Sequence, residues 1–329
     1  MKIIAVDDDK IALELLRECL QGAERESVRC ETSPIKALRE IDATETPYDC
    51  ILLDIEMPEM SGTTLCAKIR ELDRYQNTPI LMITRKRSRI AVEQAFAKGA
   101  TDFITKPFDF LEVQTRIRIA ERLVQERQAA LDSYMAAQNL SIATPQAMRS
   151  ANSRRLYAVS KEEQLNRNCK NVINLSAFQN YLERIVYTGS TSIDLIALKV
   201  RRIHEIFAKS SAEEFVDFLE KISETTALHL RKSTTFLTHA GNGVFLAAFE
   251  HDPLFETEHS RKAILATLNE LELPNVLINQ LPLDIVIGHP LSLPEGSNLN
   301  FQRAVKVALS RMEQNEKILS DSNRLAVSY

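Results

Sequence analysis

An apolar run that ends in a single acid constrains the fold of this chain more than any other feature. Residues 50–53 (Cys-Ile-Leu-Leu) have the composition of a buried strand, and Asp54 follows directly. Pro58 stops further strand pairing, and Ser61 predicts the N-cap of a helix. In an open α/β sheet, ligands bind at the carboxyl ends of such strands. The stretch therefore predicts a functional carboxylate at a sheet edge.

Other apolar segments predict further strands, which alternate with helical patterns. These segments span residues 2–6, 28–30, 79–84 and 101–104. Strands alternating with helices over roughly 110 residues indicate a doubly wound α/β fold with a five-stranded parallel sheet.

Polar side chains stand at the carboxyl ends of four predicted strands. In chain order they are Asp7 and Asp8, Asp54, Thr84 and Lys106. All these strand ends point to one edge of the sheet, so we expect the groups to converge there. Clustered carboxylates favour a bound cation, and oxygen ligands on open loops suit Mg²⁺. A lysine and a hydroxyl beside them can bind phosphoryl oxygens, which predicts that Asp54 is a phosphoacceptor.

This pattern resembles the receiver domain of bacterial response regulators, over residues 1–122. The resemblance implies a flavodoxin-like fold and phosphorylation of Asp54 by a sensor histidine kinase or phosphotransfer protein. It also implies a Mg²⁺ site formed by Asp7, Asp8, Asp54 and the backbone carbonyl of Glu56. Asp9 is the variable neighbour of the acidic pair.

The resemblance extends to residues that respond to phosphorylation. Thr84 and Phe103 occupy the switch positions, Lys106 the phosphoryl-binding position, and Pro107 the place of a cis proline. One departure concerns Arg85, where the family usually has a small residue. A long side chain there either crowds the phosphoryl group or clamps it.

A helical pattern continues beyond the predicted receiver without Gly or Pro until Pro145. Its apolar positions are Val113, Ile117, Ala120, Val124, Leu131 and Tyr134. A helix from about residue 112 to 138 favours a stalk over residues 123–140 that pairs two copies into a homodimer. The alternative is a receiver helix with a frayed extension. Residues 141–164 are basic and poor in apolar anchors, which predicts a linker.

The remaining chain predicts an α+β domain over residues 165–320, followed by a tail at 321–329. The nearly continuous apolar run at 192–200 is typical of a central strand, and Gly241-Asn242-Gly243 predicts a hairpin turn. Further strands are predicted at 234–238, 244–249 and 283–287, and helices at 174–186, 212–230, 261–271 and 300–317.

This order resembles the GGDEF domain of diguanylate cyclases. The residues that carry the resemblance are Asn174, Phe178, the hairpin Gly241, Asn242, Gly243, Val244 and Phe245, and the segment Val286-Ile287-Gly288. Such cyclases hold two Mg²⁺ ions with carboxylates. At the corresponding positions this chain has Gly243, Val244, Lys199 and Arg201, so the resemblance implies a degenerate domain without cyclase activity.

We therefore expect a response regulator whose output domain binds an unidentified downstream protein. The only enzymatic chemistry expected is phosphoryl transfer and autodephosphorylation in the receiver. One alternative is a non-catalytic effector of GTP or cyclic di-GMP, with Lys199 and Arg201 as phosphate-contacting remnants, although Phe207 and Val216 replace the guanine-binding positions. The other is an active cyclase with unusual ligands.

Composition limits the partners. The net charge of −4 gives no electrostatic argument for nucleic acid, and no basic recognition helix follows the receiver, so no DNA partner is expected. Apolar runs fall short of a bilayer span, so no membrane partner is expected. The five cysteines are scattered without a CxxC pair, which is typical of a reduced, cytoplasmic protein.

Overall fold

The computed structural model describes residues 1–20, 27–85, 89–141, 171–188, 192–230, 235–271, 283–296 and 299–326. The chain divides into two compact units, Met1–Ser153 and Arg154–Tyr329, and each contains one five-stranded sheet. The predicted linker lies, apart from Ser141, outside the described residues. Within the described ranges, no helix combines the length and the apolarity needed to cross a bilayer.

The first unit alternates strands and helices in the predicted way. Its elements are β1 (Lys2–Val6), α1 (Lys10–Leu20), β2 (Ser27–Glu31), α2 (Pro34–Ala43), β3 (Cys50–Asp54), α3 (Gly62–Arg70), β4 (Ile80–Thr84), α4 (Arg89–Ala97), β5 (Asp102–Thr105) and α5 (Phe110–Ser141). The strand order is β2-β1-β3-β4-β5, and every pairing is parallel. The prediction of a doubly wound, five-stranded parallel sheet is confirmed.

Strand β3 lies at the centre of this sheet, and all five of its residues are buried. Because helices cover both faces of a parallel sheet, a central strand is apolar throughout rather than alternating. Ser61 caps the helix that follows by accepting a hydrogen bond from the backbone N–H of Thr64. A Cβ on Gly62 would lie 1.9 Å from the carbonyl oxygen of Asp54, so only glycine allows α3 to begin this close to the strand end.

Helix α5 is the longest element of the first unit. It contains 32 residues, which corresponds to about 48 Å. Val113, Ile117 and Ala120 in its first turns are buried in the core of the unit. The long helix is confirmed and slightly exceeds the predicted limits, while its pairing into a homodimer stays a prediction.

The second unit contains an antiparallel sheet with helices. Its elements are α6 (Leu175–Thr188), β6 (Ile193–Val200), α7 (Ile203–Lys209), α8 (Ala212–His229), β7 (Thr235–His239), β8 (Val244–Glu250), α9 (Thr257–Glu270), β9 (Ile285–Ile287), β10 (Leu291–Leu293) and α10 (Phe301–Ala326). The predicted α+β class and the hairpin between β7 and β8 are confirmed.

The order of the second sheet follows a split β-α-β arrangement. Strand β8 lies between β6 and β7, and β9 and β10 pair with successive parts of the other edge of β6. A βαββαβ chain that returns its third strand between the first two produces this order.

Three features of the second unit differ from the predicted elements. Helix α7 begins after Arg202, which has a φ of 59°. Periodicity in the sequence does not indicate such a backbone conformation. Strand β10 has three residues, too few for an alternating pattern to be visible. Helix α10 continues to Ala326, past the predicted domain end at residue 320, and no Gly or Pro in this segment would end the helix earlier.

The hairpin turn between β7 and β8 consists of residues with positive φ. Gly241, Asn242 and Gly243 have φ values of 86°, 53° and 71°. The carbonyl oxygen of Gly243 accepts a hydrogen bond from the N–H of Val200 at 2.8 Å. A Cβ on Gly243 would lie 2.9 Å from the Cβ of Ile203, whereas a Cβ on Gly241 would meet nothing within 4 Å.

These two glycines offer a matched test of the turn. Gly241→Ala is expected to lower the free energy of unfolding by about 1 kcal/mol, because alanine disfavours positive φ. Gly243→Ala is expected to lower the free energy of unfolding by about 3 kcal/mol in total, because its methyl group also displaces Ile203. Calorimetric unfolding of the full chain measures both, and equal losses would contradict the packing described for Gly243.

Candidate functional site

A pocket of about 320 Å³ lies at the carboxyl ends of β1, β3 and β4 and beside the loop after β5. It is lined by Asp7, Asp8, Asp9, Asp54, Glu56, Thr84, Arg85 and Lys106. The strand order reverses between β1 and β3, and such a switch point is where doubly wound sheets bind ligands. The structure thus brings together all the strand-end groups that the sequence placed at one edge.

Asp54 ends strand β3 and is only 5% exposed. Its Oδ2 accepts a hydrogen bond from the backbone N–H of Glu56 at 2.9 Å, and its Oδ1 accepts one from Lys106 Nζ at 2.7 Å. Burial raises the pKa of Asp54, and the neighbouring Asp7 raises it further, while the hydrogen bond from Lys106 acts in the opposite direction. The carboxylate is therefore fixed in position but costly to keep ionised.

Lys106 connects two carboxylates across the pocket. Its Nζ lies 2.6 Å from Asp7 Oδ2 and 2.7 Å from Asp54 Oδ1. Burial lowers the pKa of Lys106, but hydrogen bonds and attraction from the two acids outweigh it, so the pKa is raised overall. Its backbone N–H donates to the carbonyl of Thr84 at 2.8 Å, and the peptide bond to Pro107 is cis.

Asp7, Asp8 and Asp54 form a cluster suited to a metal ion. Each offers a carboxylate oxygen, and these oxygens lie within 4.8 Å of one another. Asp7 and Asp54 are buried, while Asp8 is exposed and leaves the site open to solvent. Hard oxygen ligands on an open edge are those that Mg²⁺ prefers. Glu56, the fourth predicted ligand, also lines the pocket.

The two predicted switch residues occupy different places. Thr84 is 4% exposed and lines the pocket. Phe103 does not line it; its ring is fully buried and packs against Phe96 of α4 with 5.3 Å between the ring centroids.

Asp9 and Arg85 form a contact that the sequence did not indicate. Arg85 Nη2 lies 3.8 Å from Asp9 Oδ2. Asp9 Oδ1 accepts hydrogen bonds from the N–H groups of Ile11 and Ala12, so Asp9 is bound to the first turn of α1. Its position directly before a helical pattern is the signal that would have identified this role.

In the second unit, Lys199 and Arg201 are paired with carboxylates. Lys199 Nζ lies 2.9 Å from Glu316, and Arg201 Nη1 lies 2.9 Å from Asp284. Glu316 also approaches Arg201 at 3.7 Å. The structure thus shows a network of partly buried ion pairs here, while the role of Lys199 and Arg201 as phosphate-contacting remnants stays a prediction.

The hairpin of β7 and β8 lies beside this network. The register of β6 and β8 places Lys199 opposite Val244, while the assignment of both residues to cyclase positions stays a prediction. Within the described residues, the acids at Asp7, Asp8 and Asp54 are the one cluster with metal-ligand geometry, and it belongs to the first unit.

Residues 3–118 match the response regulator receiver domain family. The first unit contains a receiver domain. Transcriptional regulatory protein SrrA of Staphylococcus aureus is 38% identical over 125 residues, which are 38% of this chain and 49% of SrrA. This chain thus spans about half the length of the curated relatives it matches.

Solved structures also match the receiver domain. The chemotaxis response regulator CheY4 of Vibrio cholerae is 29% identical, with 36% of this chain and 97% of CheY4 covered and a TM-score of 0.34. The receiver domain of a sensor histidine kinase from Pseudomonas aeruginosa, with magnesium in its active-site cleft, is 25% identical. The match covers 38% of this chain and 97% of that one, with a TM-score of 0.34.

Replacing Lys106 tests the electrostatics of the receiver pocket. In metal-free buffer at pH 8, Lys106→Met is expected to lower the free energy of unfolding by about 3 kcal/mol, because Asp7 and Asp54 lose their buried counterion. Because the pKa of Asp54 is raised, the folded state binds its proton more tightly than the unfolded state. This contribution to stability is present at low pH and is lost as pH rises through the folded pKa.

The loss of stability in Lys106→Met should therefore shrink between pH 8 and pH 5, as the uncompensated Asp54 takes up a proton. Adding Asp54→Asn in the same variant should recover part of the loss at pH 8. Thermal unfolding across this pH range measures both effects. A deficit independent of pH would contradict the electrostatic explanation.

Proposed function

We propose that this protein is a cytoplasmic, phosphorylation-controlled response regulator whose receiver is phosphorylated on Asp54. The observation that carries the proposal is the position of this carboxylate, fixed between the N–H of Glu56 and the ammonium of Lys106 at the base of an open pocket. The donor is a sensor histidine kinase or phosphotransfer protein.

The cation in this proposal is Mg²⁺, held by Asp7, Asp8, Asp54 and the backbone carbonyl of Glu56. When bound, it neutralises charge between the acids and the incoming phosphoryl group. The carboxylate geometry supports this assignment, since Lys106 pairs with only two of the three clustered acids, Asp7 and Asp54, and its single charge does not balance the cluster.

In the phosphoryl transfer step, a carboxylate oxygen of Asp54 bonds to phosphorus as the bond between phosphorus and the donor breaks. Lys106 is placed to neutralise a phosphoryl oxygen, and the hydroxyl of Thr84 is placed to donate a hydrogen bond to another. Asp54 needs no proton acceptor, because it reacts as the carboxylate.

Two polar contacts connect the receiver site to helix α5. Thr105 Oγ1 donates to Glu112 at 2.8 Å, and Arg116 donates to Asp102 at 3.0 Å, so contacts on either side of Phe103 join β5 to the start of the helix. In the proposed mechanism, Thr84 and Phe103 move on phosphorylation, and β5 carries the change into α5 and a homodimeric stalk.

The second unit acts in this proposal as a degenerate GGDEF domain that binds an unidentified protein. Its ion pairs support the loss of catalysis, because Lys199 and Arg201 stand where metal-binding carboxylates are needed and are neutralised by Glu316 and Asp284. Protonated lysine and arginine side chains have no lone pair with which to bind Mg²⁺.

Asp54→Asn is expected to abolish incorporation of label from radioactive acetyl phosphate in the presence of Mg²⁺, because an amide oxygen does not form the acyl phosphate. Asp73→Asn, at an exposed acid outside the pocket, is the control and should be labelled like the parent protein. Labelling of the Asp54→Asn variant at the parental level would disprove the assignment.

The full chain is expected to form no cyclic di-GMP from GTP with either Mg²⁺ or Mn²⁺, because its second unit lacks the metal-binding acids. Chromatography of the reaction products checks this, with a competent cyclase as positive control. Calorimetric titration with GTP and with cyclic di-GMP should give no binding heat. Binding without turnover would instead establish a nucleotide effector.

A further inference from the structure

We propose that Arg85 is a second phosphoryl-binding cation of the receiver pocket, held on Asp9 until Asp54 is phosphorylated. This inference rests on the proposed phosphorylation of Asp54 and assigns a role to the residue that departs from the family pattern. It predicts that Arg85 lengthens the lifetime of the phosphorylated state.

The first step of the argument is the position of the two residues. Arg85 directly follows Thr84 at the end of β4, and it lines the same pocket as Asp54. Its partner is fixed, since Asp9 Oδ1 accepts the N–H of Ile11 at 2.9 Å and the N–H of Asp9 donates to Asp7 at 3.0 Å. Asp9 Oδ2 faces Arg85 across the pocket opening.

The second step is the strength of the contact. The side chains of Arg85 and Asp9 are 69% and 41% exposed, and their closest charged atoms are 3.8 Å apart. An exposed pair with this geometry is weak. The contact therefore keeps Arg85 near the pocket, but it holds Arg85 on Asp9 only weakly.

The third step is the charge that phosphorylation adds. A phosphoryl group on Asp54 brings nearly two negative charges and three acceptor oxygens. Lys106 is already bound by Asp7 and Asp54 and is 10% exposed, whereas Arg85 is a second cation lining the pocket with an exposed side chain. A guanidinium group binds phosphate oxygens in a bidentate manner. Arg85 should therefore leave Asp9 for the phosphoryl group.

The consequence concerns hydrolysis. Water must attack phosphorus opposite the bond to Asp54, its oxygen bonding to phosphorus as that bond breaks, with release of inorganic phosphate and the free carboxylate. Asp54 is buried, whereas Arg85 is an exposed residue that lines the same pocket, so a guanidinium group bound to the phosphoryl oxygens would narrow the space through which water reaches phosphorus. A guanidinium bound there obstructs the attack.

The test compares two variants of the full chain that should act in opposite directions. Arg85→Ala removes the cation and is expected to shorten the half-life of the phosphorylated protein about fivefold. Asp9→Asn keeps a side chain that can cap α1 but removes the competing charge, and it is expected to lengthen the half-life about twofold. Arg122→Ala, at an exposed arginine of α5 paired with Glu126, is the matched control and should change nothing.

Each protein is labelled with radioactive acetyl phosphate, and loss of label is followed after donor removal. Calorimetric titration with Mg²⁺ sets a saturating concentration for every variant. Opposite changes support the proposal. A normally labelled Arg85→Ala variant with unchanged lifetime, or a shortened lifetime in both variants, overturns it while leaving phosphorylation of Asp54 intact. Absence of label from the parent protein overturns both.

Discussion

The ammonium group of Lys106, bound between two buried carboxylates, is the interaction on which the receiver depends. It joins the ends of β1, β3 and β5 through contacts of 2.6 Å to Asp7 and 2.7 Å to Asp54. One cation cannot neutralise two acids, and burial makes the remaining charge costly, as the raised pKa of Asp54 indicates. The same contacts that hold Asp54 in position therefore leave uncompensated negative charge in the pocket, which is the property that the proposed Mg²⁺ site and the proposed phosphorylation of Asp54 require.

The pocket could be predicted from the sequence because each of its groups is marked by the residues directly beside it in the chain. Each strand is a short apolar run, each polar group stands directly at a strand end, and the parallel topology brings the ends together without any knowledge of side-chain contacts. The contact of Arg85 with Asp9 could not be predicted in this way, since it depends on the direction of a loop side chain. The ion pair between Lys199 and Glu316 joins residues 117 positions apart, which no local pattern indicates.

In the proposed function, the second unit has packed side chains at the positions where a cyclase would have metal-binding acids. An acid at position 243 would place a side chain at a φ of 71°, with its Cβ 2.9 Å from Ile203. An acid at position 199 would lie against Glu316, which accepts hydrogen bonds from Lys199 at 2.9 and 3.1 Å. Like charges at that distance repel strongly in a partly buried site. An acid at either position would thus destabilise the unit, which supports the proposal that the second unit acts without a metal site of the cyclase type.

The positions of the two predicted switch residues determine how the proposed mechanism connects the receiver pocket to helix α5. Thr84 faces the pocket, but Phe103 is fully buried against Phe96, so any movement of Phe103 must displace packed neighbours rather than solvent. The strand that carries Phe103 is bound to α5 through the pair of Asp102 with Arg116. Because α5 continues as one helix to Ser141, a displacement of its first turns is carried along a rigid element of about 48 Å. In the proposed mechanism, a buried aromatic residue whose strand is bound to a long helix therefore converts a local change of charge into a change of helix position.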